Sequence, residues 1–331
     1  LIASDKLDTN SYFFFFKHLI YVLIGISLIF IFSLLNSDQL YKYSIILFFI
    51  SLIALLLVPF IGVEVKGSKR WIDLFFLPRF QPIEVLKPFL IIILATILCD
   101  IRSNILFKYL ISIILISVIS LLLIAQPDIG QTLLVVFCWA ALIFTSGINI
   151  YILLAIFIAG TFLLTYLIIY VPRFDYIQGR IFSFFNRETG THNFQSDKAI
   201  ESITSGGFFG KGIGEGVLKN RVPEAHTDYI ISVISEEFGV VAIMLILLLF
   251  LILIYMVFKK ISFETNDKVK LILIGSISLI LMQATIHIGV NIRLFPTTGM
   301  TLPFLSYGGS SIISTSILGG IILNLTKRKI T

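Results

Sequence analysis

Charge is scarce in this sequence: only 13% of its 331 residues are Asp, Glu, Lys or Arg, whereas 57% are hydrophobic. A water-soluble domain carries roughly 25% charged residues. A soluble fold could not hide this much Leu, Ile and Phe, and the mean hydropathy of +1.01 points the same way. The composition therefore excludes a soluble globular protein and indicates a chain that lies mainly in lipid.

Cysteine is scarce as well, and its two residues, Cys99 and Cys138, lie in or beside apolar segments. Neither has the spacing of metal ligands, so burial by packing is the better interpretation. His, Asp and Glu form no cluster with structural-zinc spacing either. The longest hydrophilic segment contains no cysteine, which leaves the redox compartment open.

Long apolar segments are abundant, and nine of them approach the roughly 20 residues that a membrane-spanning helix needs. Short segments of alternating polarity, which are typical of transmembrane β-barrels, do not occur. We therefore predict an all-α fold, a polytopic transmembrane bundle of about nine helices that forms a single domain over residues 1–331. The nine segments are 17–35, 43–62, 85–99, 109–125, 130–147, 150–170, 229–258, 271–290 and 305–324.

The distribution of Lys and Arg predicts the orientation, because short cytoplasmic loops are enriched in both. In the favoured topology the cytoplasmic segments hold ten basic and four acidic residues, which accounts for the whole net charge of +6. Four further bases at 63–84 weaken this count, but they lie among motif residues. We expect a cytoplasmic C-terminus and an extracytoplasmic loop at 171–228. The cytoplasmic segments would be 36–42, 100–108, 146–150, 259–270 and the tail after 324.

The loop at 171–228 is the longest hydrophilic stretch, and residues 206–216 within it read GGFFGKGIGEG. Glycine permits positive φ angles and close approach of the backbone to a neighbour. A phosphate-binding loop needs Lys followed by Ser or Thr, but Lys211 is followed by Gly212. The pattern therefore does not indicate a nucleotide site.

Asp228 closes this polar loop and directly precedes a long apolar segment, so it could cap the following helix. Four titratable residues, Glu224, His226, Glu236 and Glu237, lie close by in sequence. A carboxylate among other acids can have a raised pKa, which suits a general base. Both interpretations of Asp228 stay open at this point. His226 is more typical of a structural hydrogen-bonding residue, and so is His287, which lies in an apolar segment.

Other charged residues cluster near predicted helix ends, where charge is costly unless it serves a purpose. Arg70 with Trp71 fits a headgroup anchor or a functional pair, and Asp128 fits a helix cap or a site residue. Glu84 and Lys87 are spaced to pair on a helix. Arg79 and Lys87 offer two cations suited to a phosphate or pyrophosphate.

Six motifs together identify a family. The chain resembles the SEDS family of polytopic membrane proteins, which polymerise peptidoglycan, from Lys17 to Lys329. Within the family, residues 214–226 resemble the FtsW branch more than the RodA branch. The FtsW branch acts in division and the RodA branch in elongation. The motifs are KRWID (69–73), RFQPIEVLK (79–87), QPDIG (126–130), SGGFFGKGIGEG (205–216), PEAHTDYI (223–230) with EEFG (236–239), and TTGMTLPFLSYGGSS (297–311).

The family usually has ten spans, one more than are predicted here. The sequence begins with Leu, and residues 1–11 form a polar lead-in without the pattern of a signal peptide. We therefore expect a fragment or processed form that lacks most of the first helix.

The resemblance implies a glycosyltransferase that takes disaccharide-peptide units from lipid II, an undecaprenyl pyrophosphate-linked donor, at the outer face of the bacterial cytoplasmic membrane, at the division septum. Asp228 matches the family's essential Asp and would deprotonate the acceptor sugar hydroxyl. Arg79 and Lys87 match the cations that face the pyrophosphate, and Glu84 would orient them. Further residues expected to line the substrate site are Lys69, Arg70, Asp128, His226, Ser306 and Ser310.

The resemblance also implies partners: a class B penicillin-binding protein transpeptidase and other division proteins, with no role for nucleic acid. No cofactor is certain, and the residues leave open a divalent cation, Mg²⁺ or Mn²⁺, between carboxylates and phosphates. Three alternatives stay open: a lipid II flippase or transporter, a RodA-like elongation polymerase, and a scaffold without chemistry of its own.

Overall fold

The computed structural model describes residues 12–65, 68–74, 77–100, 104–185 and 191–327. The predicted polar lead-in, residues 1–11, therefore lies outside the described residues, which begin at Tyr12. Three bases of the charge count, Arg102, Arg328 and Lys329, lie outside them too. Everything below refers to the described part of the chain.

All nine predicted segments form helices, which confirms the polytopic helical fold. Seven helices are long and apolar enough to cross a membrane, whereas α3 and α5 have only 17 residues each. The helices are α1 Phe13–Leu34, α2 Ser37–Ile61, α3 Pro82–Leu98, α4 Ile105–Ala125, α5 Ile129–Thr145, α6 Ile150–Tyr170, α7 Asp175–Phe185, α8 Thr191–Gly206, α9 Ile230–Phe263, α10 Asp267–Asn291 and α11 Gly309–Thr326.

The chain divides into two compact units, each built from separate segments. We call them the Asp228 unit and the Lys87 unit, after the residue that matters most in each. The single domain over 1–331 stays a prediction. The Asp228 unit comprises Leu1–Phe14, Ile148–Ile252 and Gln283–Ser306, and the Lys87 unit comprises Phe15–Gly147, Leu253–Met282 and Tyr307–Thr331.

Within the Lys87 unit, α3 is an interior helix that packs against α2, α4, α5 and α11. Gln81 is its N-cap residue and Pro82 occupies its first turn, where the missing N–H of proline costs nothing. Most of its side chains are buried, including the charged Glu84 and Lys87. The short length of α3 therefore goes with enclosure by other helices.

Residues 63–80 contain three short strands that the all-α prediction missed. Strands β1 Val63–Val65, β2 Ser68–Leu74 and β3 Leu77–Phe80 form an antiparallel sheet in the order β1-β2-β3. Val63 pairs with Trp71, and Ile72, which is buried, pairs with Phe80. Strands this short carry too few alternating residues to stand out beside the flanking apolar helices. The predicted site residues Lys69 and Arg70 lie on β2, and Arg79 lies on β3.

The predicted loop at 171–228 contains the helices α7 and α8 and two 3-10 turns, Pro172–Phe174 and Leu218–Arg221. The buried residues of α8 include Ser196, Ala199 and Ser202, which follow each other at intervals of three. Because these residues are small or polar, a search for apolar periodicity does not detect the helix.

The long apolar segment that begins at Tyr229 is broken at Gly239, whose φ of 74° and ψ of −173° are not helical. A Cβ atom at Gly239 would lie 2.2 Å from the carbonyl oxygen of Phe208, so no larger residue fits. Helix α9 thus consists of a buried part at 230–238 and a more exposed part at 240–263.

Candidate functional site

Asp228 lies in a tight turn directly before α9. The carbonyl oxygen of Glu224 accepts hydrogen bonds from the N–H groups of Thr227 (3.1 Å), Asp228 (3.1 Å) and Tyr229 (3.3 Å). Glu224 adopts a positive φ of 52°, which reverses the chain at this point. The hydroxyl of Thr227 donates to the Glu224 carboxylate at 3.1 Å. The turn fixes the backbone of Asp228, while its side chain stays half-buried, as does that of its neighbour His226.

A stripe of polar residues on α10 holds this turn from behind. Gln283, His287 and Asn291 follow each other at intervals of four, so they share one helix face. All three are buried, with at most 1% of their surface exposed. Asn291 Nδ2 donates to the carbonyl oxygens of Asp228 (3.0 Å) and His287 (2.8 Å). The neutral amide of Asn291 therefore ties the Asp228 backbone to the end of α10.

The same stripe also holds the segment that runs from Thr297 to Thr301. His287 Nδ1 lies 2.7 Å from the Met300 carbonyl oxygen and must carry the proton, because a carbonyl only accepts. Gln283 Nε2 donates to the Thr301 carbonyl oxygen at 3.1 Å. This geometry confirms the prediction that His287 is an interior residue with a hydrogen-bond partner.

The segment held in this way lies beside the Asp228 carboxylate. A Cβ atom built on Gly299, whose φ is 71°, would lie 3.5 Å from Asp228 Oδ2. Ser306, which is buried, accepts from the Leu302 N–H and donates to the Thr227 carbonyl oxygen, both at 2.7 Å. The predicted site residue Ser306 thus supports the turn that carries Asp228. Its predicted contact with substrate stays a prediction.

Glu236 and Glu237 serve the fold of the glycine-rich loop. The fully buried Glu236 carboxylate accepts from Ser202 Oγ (3.0 Å) and from the N–H groups of Leu218 (2.9 Å) and Lys219 (2.6 Å). Glu237 pairs with the ammonium group of Lys219. These partners explain the two acids without any role at Asp228.

The glycines of this loop are explained by close backbone packing. A Cβ atom on Gly206 would lie 1.9 Å from the Ser235 carbonyl oxygen, and one on Gly210 would lie 2.2 Å from that of Glu237. The N–H of Lys211 donates to the Glu236 carbonyl oxygen at 2.8 Å. The loop is thus packed against α9.

In the Lys87 unit, α3 carries a buried ion pair, and Gln131 links this pair to α5. Lys87 Nζ lies 2.8 Å from Glu84 Oε2 and 3.0 Å from Gln131 Oε1, and Gln131 Nε2 donates to Glu84 Oε1 at 2.5 Å. The predicted pairing of Glu84 with Lys87 is confirmed. Lys87 is 0% exposed, so its ammonium group is enclosed by these partners and not by solvent.

Asp128 extends this polar cluster at the start of α5. It caps the helix by accepting from the Gln131 N–H at 3.4 Å, which confirms the cap interpretation. It also accepts from Gln81 Nε2 at 2.7 Å and lies 3.6 Å from Arg70 Nη1. Burial raises the pKa of Asp128 above its usual range, although the Arg70 charge opposes this.

Arg70 and Ser310 hold the ends of the elements around Asp128. Arg70 Nε donates to the Gln126 carbonyl oxygen at 3.1 Å, and its Nη2 donates to that of Pro127. Arg70 therefore fixes the turn between α4 and α5, which differs from a headgroup anchor. Ser310 Oγ accepts from the Gln81 N–H at 3.0 Å. Two predicted site residues thus have structural partners in the described part of the chain.

Arg79 differs from these residues because it is exposed. Its side chain is 58% exposed and forms an ion pair with the Asp73 carboxylate, with Nε and Oδ2 2.8 Å apart. Lys69 on β2 is also exposed and pairs in register with Glu64. Arg79 and Lys69 are therefore the predicted site cations that the surface of the Lys87 unit presents to a ligand.

Five of the residues that the sequence prediction missed are neutral: Gln81, Gln131, Gln283, Asn291 and Gly299. A charged residue at membrane depth indicates a candidate site residue, whereas an amide side chain carries no charge and gives no such indication. The spacing of four between Gln283, His287 and Asn291 is the pattern that predicts a shared polar face on this apolar helix. Within the described ranges, no group of three or more His, Cys, Asp or Glu residues is placed to hold a metal ion.

Comparison with known proteins identifies the family. The model FTSW_RODA_SPOVE, described as cell cycle protein, matches residues 1–330, so the chain belongs to this family. A probable peptidoglycan glycosyltransferase FtsW of Coxiella burnetii is 33% identical over 339 residues, which cover 98% of this chain and 89% of the relative. A protein of the same description from Francisella salina is 34% identical over 336 residues and covers 98% of this chain and 82% of the relative.

Solved structures share the fold. A chain of the structure described as "Structural coordination of polymerization and crosslinking by a peptidoglycan synthase complex" matches with a TM-score of 0.81 and 26% identity, over 95% of this chain and 89% of that one. The rod shape determining protein RodA of Thermus thermophilus matches with a TM-score of 0.71 and 28% identity, over 96% and 88%. The chain is thus a multi-pass membrane protein with the fold of this family.

Proposed function

We propose that this chain is a peptidoglycan glycosyltransferase that polymerises lipid II at the outer face of the bacterial cytoplasmic membrane during cell division. The observation that carries the proposal is the Asp228 turn. Its backbone is fixed by Glu224, Asn291 and Ser306, while the carboxylate stays half-buried beside Gly299. Such support holds a carboxylate in a fixed position, which is what a general base needs.

In the proposed reaction the Asp228 carboxylate takes the proton from the acceptor sugar hydroxyl. The hydroxyl oxygen then forms a bond to the anomeric carbon of the donor sugar, and the bond from that carbon to the undecaprenyl pyrophosphate breaks. The pyrophosphate leaves with the bonding electrons, so its negative charge grows during the step. Cationic side chains stabilise this growing charge.

Arg79 and Lys87 are proposed to bind the pyrophosphate. Arg79 supports this role by its exposure, because a ligand can replace Asp73 as the partner of the guanidinium group. Lys87 is enclosed by Glu84 and Gln131, so it could meet a phosphate only after these partners release it. Arg79 is therefore the stronger candidate of the two. A divalent cation, if the reaction uses one, would take most of its ligands from the phosphates.

The remaining parts of the proposal concern surroundings and partners. The charge distribution supports a cytoplasmic C-terminus and an extracytoplasmic loop at 171–228. The name of the peptidoglycan synthase complex, which couples polymerization with crosslinking, supports a class B penicillin-binding protein as partner. The names of the curated relatives support the division role over the elongation role.

The test is polymerisation of lipid II by the purified full chain, with and without the transpeptidase. Asp228→Asn should lower the rate by a factor of about 10² to 10⁴, the usual contribution of a general base. Asp175→Asn is the matched control, because Asp175 is an exposed carboxylate of the same unit. Thermal unfolding of each variant shows whether it folds.

Three outcomes would contradict the proposal. Full activity of Asp228→Asn would remove the general base. Movement of lipid II across liposomes that does not depend on Asp228, together with no polymer, would instead favour a flippase. Binding of the transpeptidase without any turnover, even in the complex, would favour a scaffold.

A further inference from the structure

The glycine-rich loop carries four large apolar side chains that are open to the surroundings. Phe208 is 74% exposed, Phe209 85%, Ile213 79% and Val217 61%. They belong to a loop and not to any candidate membrane span. We call residues 207–217 the tip. The tip exposes apolar surface that belongs neither to the protein core nor to a membrane span. Exposed patches of this kind mark contact with a membrane or with another protein.

The tip is fixed against α9 at one height along the helix. The N–H of Val240 donates to the Gly207 carbonyl oxygen at 3.0 Å, and the N–H of Val241 donates to that of Phe208 at 3.2 Å. On the other side of Gly239, the N–H of Gly212 donates to the Glu237 carbonyl oxygen at 3.0 Å. The tip thus pairs with the helix at the point where α9 is broken.

The surroundings of α9 change at the same point. Before Gly239 the helix buries polar groups, with Ser232 and Glu236 both 0% exposed. After Gly239 it presents apolar side chains to its surroundings, beginning with Val240 (42% exposed), Val241 (52%) and Met244 (61%). In a membrane-spanning helix, an apolar exposed surface of this kind faces lipid. The lipid-facing surface of α9 therefore begins next to the tip.

We propose that the tip inserts Phe208, Phe209 and Ile213 into the bilayer, at the boundary between headgroups and acyl chains. The occupant is lipid because the exposed apolar surface of the tip continues the lipid-facing surface of α9. Lys211, whose side chain is 38% exposed and whose Nζ lies 3.6 Å from Glu236 Oε1, would lie at headgroup level. The inserted tip anchors the loop that ends in the Asp228 turn.

This inference goes beyond the proposed function and does not depend on it. It is tested on the full chain in lipid nanodiscs, with Cys99→Ser and Cys138→Ala removing the native thiols. A nitroxide label is placed at Phe209→Cys, and collisions with oxygen, which partitions into lipid, are compared with collisions with a water-soluble nickel complex. Val241→Cys gives the lipid reference, and Glu201→Cys, on the exposed face of α8, gives the water reference.

The ratio of oxygen to nickel collisions at residue 209 should be several-fold higher than at 201 and close to that at 241. A label at Ile213→Cys gives a second reading from the same tip. A ratio at both positions equal to that at 201 would overturn the insertion. Protection of both positions from both reagents would also overturn it, because protein would then cover the tip. Neither measurement involves polymerisation, so failure here leaves the proposed function untouched.

Discussion

The surroundings of Lys87 and those of Asp228 use polar residues in different ways. Around Lys87, the charged groups Arg70, Glu84, Lys87 and Asp128 sum to zero and satisfy one another inside the protein. Around Asp228, buried neutral side chains hold the backbone: Gln283, His287, Asn291 and Ser306. The difference shows that buried charge in this protein is not by itself the mark of a reactive group. In the proposed reaction the reactive group is instead a carboxylate whose backbone is fixed and whose side chain is half-buried.

The largest expected effect comes from breaking the charge balance around Lys87. Lys87→Gln leaves the Glu84 carboxylate buried without its cation, which should lower the free energy of unfolding by about 3–5 kcal/mol. The double variant Glu84→Gln/Lys87→Gln removes both charges and keeps groups that can hydrogen-bond with Gln131. It should recover most of the loss. Thermal unfolding in detergent measures both variants.

A control for this prediction is the exposed pair of Lys198 and Glu201, which has the same i,i+3 spacing and a separation of 2.5 Å. Lys198→Gln should leave the unfolding temperature almost unchanged, because water screens the pair. Equal effects of Lys87→Gln and Lys198→Gln would contradict the contrast between the two units. A double variant as unstable as the single one would mean that the charges themselves, and not their balance, hold α3 to α5.

A smaller effect is expected from the neutral stripe behind Asp228. His287→Leu leaves the Met300 carbonyl oxygen without its donor and should cost about 1–3 kcal/mol. Because Met300 follows Gly299, polymerisation by the folded variant should fall as well, with the loss in kcat and not in KM. His287→Asn keeps an N–H donor and should restore part of both. Kinetics and thermal unfolding are measured on the same preparations.

Ser276→Ala is the matched control, since Ser276 is equally buried in α10 and its hydroxyl has no hydrogen-bond partner among the described residues. It should leave both quantities close to those of the original chain. If His287→Leu lowers stability but leaves kcat intact, the stripe supports the fold without positioning the Gly299 segment. If His287→Asn fails to restore any activity, the hydrogen bond to Met300 is not what matters.

Sequence patterns predicted the parts of this protein that local physics determines. Apolar length placed all nine helices, spacing paired Glu84 with Lys87, and the position of Asp128 before an apolar segment predicted its cap. The break at Gly239 was missed, since it depends on the carbonyl oxygen of Phe208, a contact that no local pattern encodes. The strands at 63–80 were missed because they are short.

The supporting residues of the site were missed for a different physical reason. The substrate contact predicted for Ser306 stays a prediction, but its hydrogen bond to Thr227 was not predicted, because that bond forms only when distant segments meet. Glu236 and Glu237 were placed near Asp228 by sequence distance, whereas their side chains hold the glycine-rich loop. Sequence distance along α9 does not tell which face of a helix a carboxylate occupies or which loop covers it.

The smallest expected effect is at Tyr229, the immediate neighbour of Asp228. Its side chain is 1% exposed, and its hydroxyl has no hydrogen-bond partner among the described residues. Burial and the nearby Asp228 charge raise the pKa of Tyr229, so the phenol stays neutral at physiological pH. Tyr229→Phe keeps the ring and removes only the hydroxyl, so stability should change by less than about 1 kcal/mol. Polymerisation should be unchanged. A strong loss of polymerisation with normal unfolding would show that the hydroxyl meets the substrate, and would extend the reactive site from Asp228 into the start of α9.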